Sequence, residues 1–309
     1  MKIVNFISDK FFMPEQEVRN YLRTVPRRYK QFTIDKRNGE PRLIAQPAKQ
    51  VKALQVSVLS ELKRYIPIHE CAYAYQSGRN IKANALLHAK NSYLLKMDFK
   101  NFFLSIKPEV FLNVLSKHGI AVSEDDALSI ANLFFWKLRR NSPLRLSIGA
   151  PSSPFISNAT MYFFDSYLSA ECKKIDVDYS RYADDLTFST KTKGILKDIP
   201  LLVKKALEMN DLKTIKINNS KTVFSSKKFN RHVTGITLNN NGDISLGRNK
   251  KRFLSSRIHY YSLGLLNNDD ILELKGLLGF ANYIEPIFLE RMKVKYGDDL
   301  IVSIQKYIG

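Results

Sequence analysis

The sequence predicts an α+β protein, and three observations predict it. Strand-like and helix-like segments alternate through the middle of the chain, two short strands flank a tight turn at residues 182–185, and beyond residue 227 one hairpin leads into helical periodicity. Residues 1–90 mix basic and apolar segments around Arg37-Asn38-Gly39-Glu40, whose Asn-Gly pair favours a hairpin between residues 31–34 and 42–44. A helix is expected over 49–65. The apolar run 93–99 reads as a buried strand, followed by helices over 108–118 and 124–138. Ser153-Pro154 starts the next helix, Ser as a good N-cap and Pro pre-shaped for the first turn, with Phe155, Ala159, Tyr162 and Phe163 following at helical spacing. Strands 177–182 and 186–189, helix 195–209 and strands 214–217 and 222–225 complete a mixed sheet with helices on one face. From Lys227 a hairpin around Asn239-Asn240-Asn241-Gly242 leads into helices that run nearly to Gly309. With no internal repeat, low-complexity tract or Pro/Gly linker, any subdomains are tightly joined.

The 309 residues suffice for one large domain or for two or three cooperating subdomains. A hydrophobic content of 44% and an aromatic content of 11% exclude intrinsic disorder. Charge is the outlier: 49 Lys and Arg face 29 Asp and Glu, a formal +20, which points to a polyanionic partner. The excess is densest at the start, with 17 basic against 7 acidic residues in 1–90 and 19 against 14 in 91–226. Charge alone leaves nucleic acid and anionic membrane both open. The stretch from Ile3 to Phe12 is interrupted by Asn5, Asp9 and Lys10, too short and too polar for a signal or a spanning helix, so a cytoplasmic protein without a membrane partner is expected. Cys71 and Cys172 stand far apart without metal-spaced neighbours, which reads as two reduced core thiols.

Three separated features carry chemistry. Asp98 closes the apolar strand Leu94-Leu95-Lys96-Met97-Asp98-Phe99, Gly149-Ala150-Pro151-Ser152-Ser153-Pro154 precedes a helix, and Tyr182-Ala183-Asp184-Asp185 caps a hairpin. Taken singly, the Asp-Asp turn also fits a solvated loop, and Asp98 an N-cap or a salt-bridged strand end. Together they place three carboxylates where two abutting charges at a hairpin tip meet a third at a neighbouring strand end, a site that demands a divalent cation. Carboxylates around two Mg²⁺ ions suit phosphoryl transfer, one ion activating the attacking hydroxyl and the other holding the leaving pyrophosphate. The five histidines stand apart from any nucleophile motif, so no Ser–His–Asp or Cys–His arrangement competes.

Over about residues 20–240 the sequence resembles the reverse transcriptases, whose palm carries Asp-x-x-x-x-Phe/Tyr, Gly-x-Pro-x-Ser-Pro and Tyr-x-Asp-Asp in this order. The resemblance implies a right-hand polymerase: fingers and N-terminal region over 1–90, palm over 91–226 with a mixed or antiparallel sheet backed by helices, and a small, mainly helical, RNA- or duplex-binding thumb over 227–309. It implies that Asp98, Asp184 and the Phe99 carbonyl ligate metal with Asp185 in support, and that dNTPs are the substrates. Phe103 matches the family's steric gate, whose ring collides with a ribose 2′-OH; on residue type alone, Phe102 and Phe103 are equally compatible with plain core. Lys221 of Asn218-Asn219-Ser220-Lys221-Thr222 resembles a lysine near the nucleotide phosphates, although a solvated lysine fits as well. Arg42 and Arg79 resemble residues that grip the incoming triphosphate, and Gly149 belongs to the nucleotide-facing turn. Ser147-Ile148 stands where the family has Pro-Gln, which removes a polar side chain from the nucleotide's surroundings.

Two further segments resemble retron reverse transcriptases: Asn84-Ala85-Leu86-Leu87-His88 matches Asn-Ala-x-x-His, and Val233-Thr234-Gly235 matches Val-Thr-Gly. By composition alone, Asn84 and His88 read equally as a helix cap and a core histidine, and Val-Thr-Gly as a strand end. The retron resemblance implies a structured noncoding RNA as template and primer, a branched RNA–DNA product started from a guanosine 2′-OH, and a separate effector protein in phage defence. Arg248, Lys250, Lys251 and Arg252 crowd an expected helix start, where the macrodipole disfavours cations and a bound phosphate would relieve the conflict, with Tyr260 and Tyr261 nearby as core or stacking groups. Another bacterial lineage (group II intron-like, diversity-generating or abortive-infection) and an RNA-binding module with a silent palm are the alternatives.

Overall fold

The computed structural model describes residues 2–35 and 39–309. The chain opens with helices α1 (Ile3–Phe11) and α2 (Glu15–Thr24) and the hairpin of β1 (Tyr29–Asp35) and β2 (Pro41–Pro47). Helices α3 (Lys49–Leu62) and α4 (Ile81–Ala89) lead to β3 (Tyr93–Lys100). Then come α5 (Phe102–Ser105), α6 (Pro108–Lys117), α7 (Glu124–Phe134), α8 (Ser153–Thr160) and α9 (Tyr162–Lys174). Hairpin β4 (Asp178–Tyr182) and β5 (Asp185–Thr190) passes through α10 (Ile199–Met209) to β6 (Lys216–Ile217) and β7 (Val223–Ser226). The short strands β8 (Arg231–Val233), β9 (Ile236–Leu238) and β10 (Ile244–Ser245) precede α11 (Arg248–Ser262), α12 (Asn268–Ile284), α13 (Pro286–Tyr296) and α14 (Asp298–Lys306). The predicted α+β class is what the chain forms.

Two compact units divide these elements. The first comprises Met1–Gly78, Leu95–Phe188 and Gly194–Val223, the second Arg79–Leu94, Ser189–Lys193 and Phe224–Gly309. In the first, α1, α2, α3 and α7 pack on one another. Helix α7 starts where the Ser123 hydroxyl accepts the Asp126 N–H at 3.1 Å, and Glu124, Asp125 and Asp126 place negative charge at its positive end. Asp126 also accepts the Ile3 N–H at 2.7 Å, joining the start of α1 to α7. Helix α9 packs on β4, and α10 on α9, so the apolar stripe of each is covered. In the second unit, α4 packs on β8, β9 and β10, and a single core joins Ala85, Ala89 and Leu94 to Val233, Ile236, Leu254, Leu274, Leu278 and Ile304.

Five strands form the main sheet in the order β4-β5-β3-β6, with β7 also paired to β3, and β10-β9-β8 form a second, three-stranded sheet. The β1–β2 pairing is antiparallel with Asp35 opposite Pro41, as the predicted hairpin requires; Arg37 and Asn38 of its turn lie outside the described residues. Both cysteines are buried free thiols, and burial pushes each up, Cys172 to about 12.

Three expectations are corrected in detail. The helix predicted to reach residue 138 ends at Phe134, because Phe135 is extended and Trp136 bridges antiparallel to Arg145. The helix predicted from 195 begins as a 3₁₀ turn, Ile195–Asp198, before Pro200 seats the first turn of α10. Neither Ser152 nor Ser153 caps α8: both hydroxyls are buried without a partner among the described residues, and Ser152 is already helical. The preceding turn is closed instead by the Ser147 hydroxyl, which accepts the Ala150 N–H at 3.1 Å.

Candidate active site

The site forms in the first unit, where the turn between β4 and β5 lies beside β3. The Phe99 N–H donates to the Asp184 carbonyl at 3.2 Å, bringing the Asp-Asp turn against the strand that carries Asp98. Ala183 adopts a left-handed φ of +57°, an unusual conformation for a residue with a Cβ. Strand β6 pairs with β3 so that Ile217 faces Phe99, and this register delivers the next residues to Asp98. The Asn218 N–H donates to the Asp98 carbonyl at 2.7 Å, Asn218 Nδ2 donates to Asp98 Oδ1 at 3.1 Å, and Lys221 Nζ donates to Asp98 Oδ2 at 2.9 Å.

The electrostatics follow from this crowding. Burial raises the Asp184 carboxyl and Asp98 adds to the rise, while its own N–H, Lys221 and Arg42 oppose it. Asp185 lies on the exposed rim of the turn, yet surrounding protein atoms, then Asp184 and Asp98, push its carboxyl up to about 6. Lys221 is raised, first by its hydrogen bond to Asp98 and then by the field of all three carboxylates. These negative charges are thus only partly compensated by Lys221, Arg42 and Lys96 and favour further positive charge. Among the described residues no three His, Cys, Asp or Glu side chains stand close enough to form a ready-made metal cage. A donor set of hard carboxylate oxygens still fits a divalent cation whose remaining ligands come from water and substrate phosphate, the usual arrangement for magnesium in phosphoryl transfer.

Phe102 is buried and stacked on Phe99 with ring centroids 5.7 Å apart, whereas Phe103 is only half-buried. The structure thus separates the two rings that residue type left equivalent. Gly149 has φ +126°, and a Cβ there would lie 3.0 Å from both the Ala45 carbonyl oxygen and Ile44 Cγ2, so it is the close approach of β2 that demands glycine. Arg42, exposed on β2, lies near enough to influence Asp184, and Arg79 is exposed at the start of the second unit. Sequence reasoning missed Tyr75, an exposed left-handed residue whose hydroxyl is raised by burial and then by Asp184 and Tyr182. It also missed Asn218 as a partner of Asp98, and the buried groups behind the turn.

In the second unit the two short segments meet. Thr234 and Gly235 both have positive φ, +48° and +78°, forming the tight turn between β8 and β9, and the Thr234 hydroxyl donates to the Ile81 carbonyl at 3.2 Å. Asn80, rather than Asn84, caps α4 by accepting the Ala83 N–H at 2.8 Å. Asn84, His88 and Val233 are interior, and both amide groups of Asn84 lack partners among the described residues. His88 Nδ1 lies 2.7 Å from the Ser189 hydroxyl, which also accepts from Asn91 Nδ2 at 2.7 Å. At the start of α11, Arg248 and Arg252 are exposed, Lys250 lies 4.7 Å over the Phe280 ring, and Lys251 donates to Glu285 at 2.5 Å. Fold partners thus already engage Lys250 and Lys251, a departure from the expected cluster of unrelieved charge.

A carboxylate-bearing hairpin turn beside the central strand of the main sheet is compatible with a nucleotidyl-transferring polymerase. The family described as Reverse transcriptase (RNA-dependent DNA polymerase) matches residues 34–238. The chain is 46% identical to the Retron Ec83 reverse transcriptase of Escherichia coli, over 90% of each chain. It is 30% identical to the Retron Ec73 reverse transcriptase of the same organism, over 97% of this chain and 96% of that one. The Retron Mx162 reverse transcriptase of Myxococcus xanthus is 31% identical over 84% of this chain and 58% of its own length. The chain belongs to the retron reverse transcriptases, and is an RNA-directed DNA polymerase. No helix among the described residues is long and apolar enough to cross a membrane.

Proposed function

We propose that this polymerase copies a cognate structured noncoding RNA into branched multicopy single-stranded DNA, primed from the 2′-OH of a guanosine, in antiphage defence beside a separate effector protein. The observation that carries the reading is the crowding of Asp98, Asp184 and Asp185 around Lys221 in a chain so similar to reverse transcriptases named for their retrons. Two Mg²⁺ ions bound there would activate the attacking hydroxyl and stabilise the leaving pyrophosphate. Asp98, Asp184 and the Phe99 carbonyl would hold them, with Asp185 in support. Lys221, exposed and already charged beside Asp98, is suited to meet the phosphates of an incoming dNTP, with Arg42 of the same unit on that triphosphate; the family resemblance adds Arg79 as a nucleotide-binding residue. Phe103 bars the ribose 2′-OH, and Gly149 keeps the turn before α8 free of a side chain.

The RNA is read by the second unit in this proposal. Exposed Gly235 and half-buried Thr234 present the β8–β9 turn, while Asn84, His88 and Val233 support it from within. Arg248 and Arg252 meet phosphate at the start of α11, and Lys250 and Lys251 hold that helix end in place. Residues 1–90, 91–226 and 227–309 would serve as fingers, palm and thumb.

The test is template-dependent dNTP incorporation. An Asp184→Asn chain is expected to lose about a thousandfold or more in rate, since a charge that organises the transition state is removed; incorporation at the native rate would show the catalytic assignment to be wrong. Sequencing the nucleic acid that co-purifies with the native chain separates a branched RNA–DNA species, as proposed, from a linear product.

A further inference from the structure

Directly behind the Asp-Asp turn lies a buried polar network that the reaction as described does not use. Arg181, the residue before Tyr182-Ala183-Asp184-Asp185, is 0% exposed. Its Nε donates to Asp165 Oδ1 at 2.9 Å and Oδ2 at 3.1 Å, and its Nη2 donates to Oδ2 at 2.5 Å. Tyr179, also buried, donates its hydroxyl to Asp165 Oδ1 at 2.8 Å. On the other side of the guanidinium, Nη1 donates to Asn158 Oδ1 at 2.9 Å and to the Ala183 carbonyl at 3.0 Å. Asn158 is itself fixed, since its Nδ2 donates to the Ala74 carbonyl at 2.8 Å. The Arg181 backbone is held too, its N–H donating to the Cys71 carbonyl and its carbonyl accepting the Tyr73 N–H, both at 2.8 Å.

Stability alone does not explain this network. A buried ion pair roughly balances its desolvation cost, and a well-packed apolar replacement is often as stable. What an apolar side chain cannot do is hold the Ala183 carbonyl. Ala183 sits in the left-handed region, where a residue with a Cβ is disfavoured, so its peptide group keeps that orientation only if something holds it. That carbonyl belongs to the peptide linking Ala183 to Asp184. Its direction sets where Asp184 and Asp185 begin. A planar guanidinium with fixed N–H directions, aimed by a bidentate carboxylate and a side-chain amide, is suited to this task in a way that a lysine ammonium is not.

We propose that Arg181 is a positioning residue for polymerisation: oriented by Asp165 on α9 and Asn158 on α8, it clamps the Ala183 carbonyl and so fixes the geometry in which Asp184 and Asp185 meet a divalent cation. The inference rests on the reading of Asp184 as a metal-binding carboxylate. It also gives α8 a second task, since Asn158 on that helix orients the guanidinium that holds the turn.

The experiment titrates Mn²⁺ into the full chain and follows the electron paramagnetic resonance signal of free Mn²⁺, with circular dichroism as the check of folding. Arg181→Lys keeps the charge for Asp165 but loses the fork, and its half-saturating Mn²⁺ concentration is expected to rise about tenfold, as when a supporting group behind a metal ligand is lost. Tyr179→Phe removes a bond to Asp165 without touching the turn, so it lowers thermal stability and leaves Mn²⁺ binding at the native value. If Arg181→Lys does not fold, Asn158→Ala decides, because it leaves the ion pair intact and frees one side of Nη1; a smaller but measurable rise is expected. Native Mn²⁺ affinity in every folded Arg181 and Asn158 variant, beside an Asp184→Asn chain that has lost metal binding and incorporation, overturns the proposal and leaves the catalytic reading standing. Native metal binding in Asp184→Asn overturns both.

Discussion

The Phe102 ring is stacked on Phe99 and buried, whereas Phe103, one position on, keeps part of its ring accessible. In the proposed site it is the second ring that is left to meet a nucleotide sugar. Phe103→Ala is therefore expected to reduce discrimination against ribonucleotides by about a hundredfold, a range typical of steric rejection of one hydroxyl, while dNTP incorporation continues. Competition between dNTP and rNTP in single-nucleotide extension measures it, and unchanged discrimination would remove Phe103 from the gate. At this scale the sequence made the acidic residues legible, because Asp98, Asp184 and Asp185 sit in short motifs whose order carries information. It did not reveal Tyr75, Asn218 or Arg181. Asn218 reaches Asp98 across 120 positions, and Arg181 reads in sequence as one more basic residue in a basic chain. Such roles arise from contacts that the fold creates.

Two elements turn local chemistry into measurable stability. Gly149 meets β2 where neither the Ala45 carbonyl nor the Ile44 side chain leaves room, and its φ of +126° is hostile to a Cβ in any case. Gly149→Ala is expected to cost about 1–3 kcal/mol through overpacking and backbone strain, read as a lower urea midpoint with unchanged m. Helix α4 carries the second case. His88 is fully buried, and desolvation depresses its imidazole from 6.5 to about 3. The unfolded chain therefore takes up the proton first. The contribution of neutral His88 is fully present above pH 6.5 and is lost as pH falls from there towards 3, with a slope of up to about 1.4 kcal/mol per pH unit. Urea unfolding at pH 7.5 and 5.5 should show this loss in the native chain and a flatter dependence in His88→Gln; identical slopes would place the titration elsewhere. The strands of the main sheet were legible from their alternation and flanking turns. Helix α4 was not drawn as an element, because its short run mixes Asn, His, Ala and Leu and its cap, Asn80, lies in what reads as a loop.

For the molecule as a whole, the formal charge of +20 is the property that governs encounter with RNA. Affinity for structured RNA is expected to fall linearly on a plot of log K against log salt concentration, and reversing both Arg248 and Arg252 to Glu should reduce the slope by about 2, one per lost phosphate contact. Filter binding at several salt concentrations checks this, and an unchanged slope would move the RNA surface away from α11. The general basic character was visible in the composition, whereas the division of labour within Arg248-Asn249-Lys250-Lys251-Arg252 needed Phe280 and Glu285, which lie thirty or so positions away. The interleaved path of the chain has a further consequence. Strands β3 and β5 each begin in one compact unit and end in the other, and α4 is made long before the partners of Ala85, Ala89 and Leu94 in the core that runs to Ile304. On the ribosome, every segment of the unit bearing the carboxylates has been made by Val223, while the apolar face of α4 waits for the last third of the chain. Synthesis itself thus keeps the proposed RNA-reading unit unfinished until after the catalytic one can close.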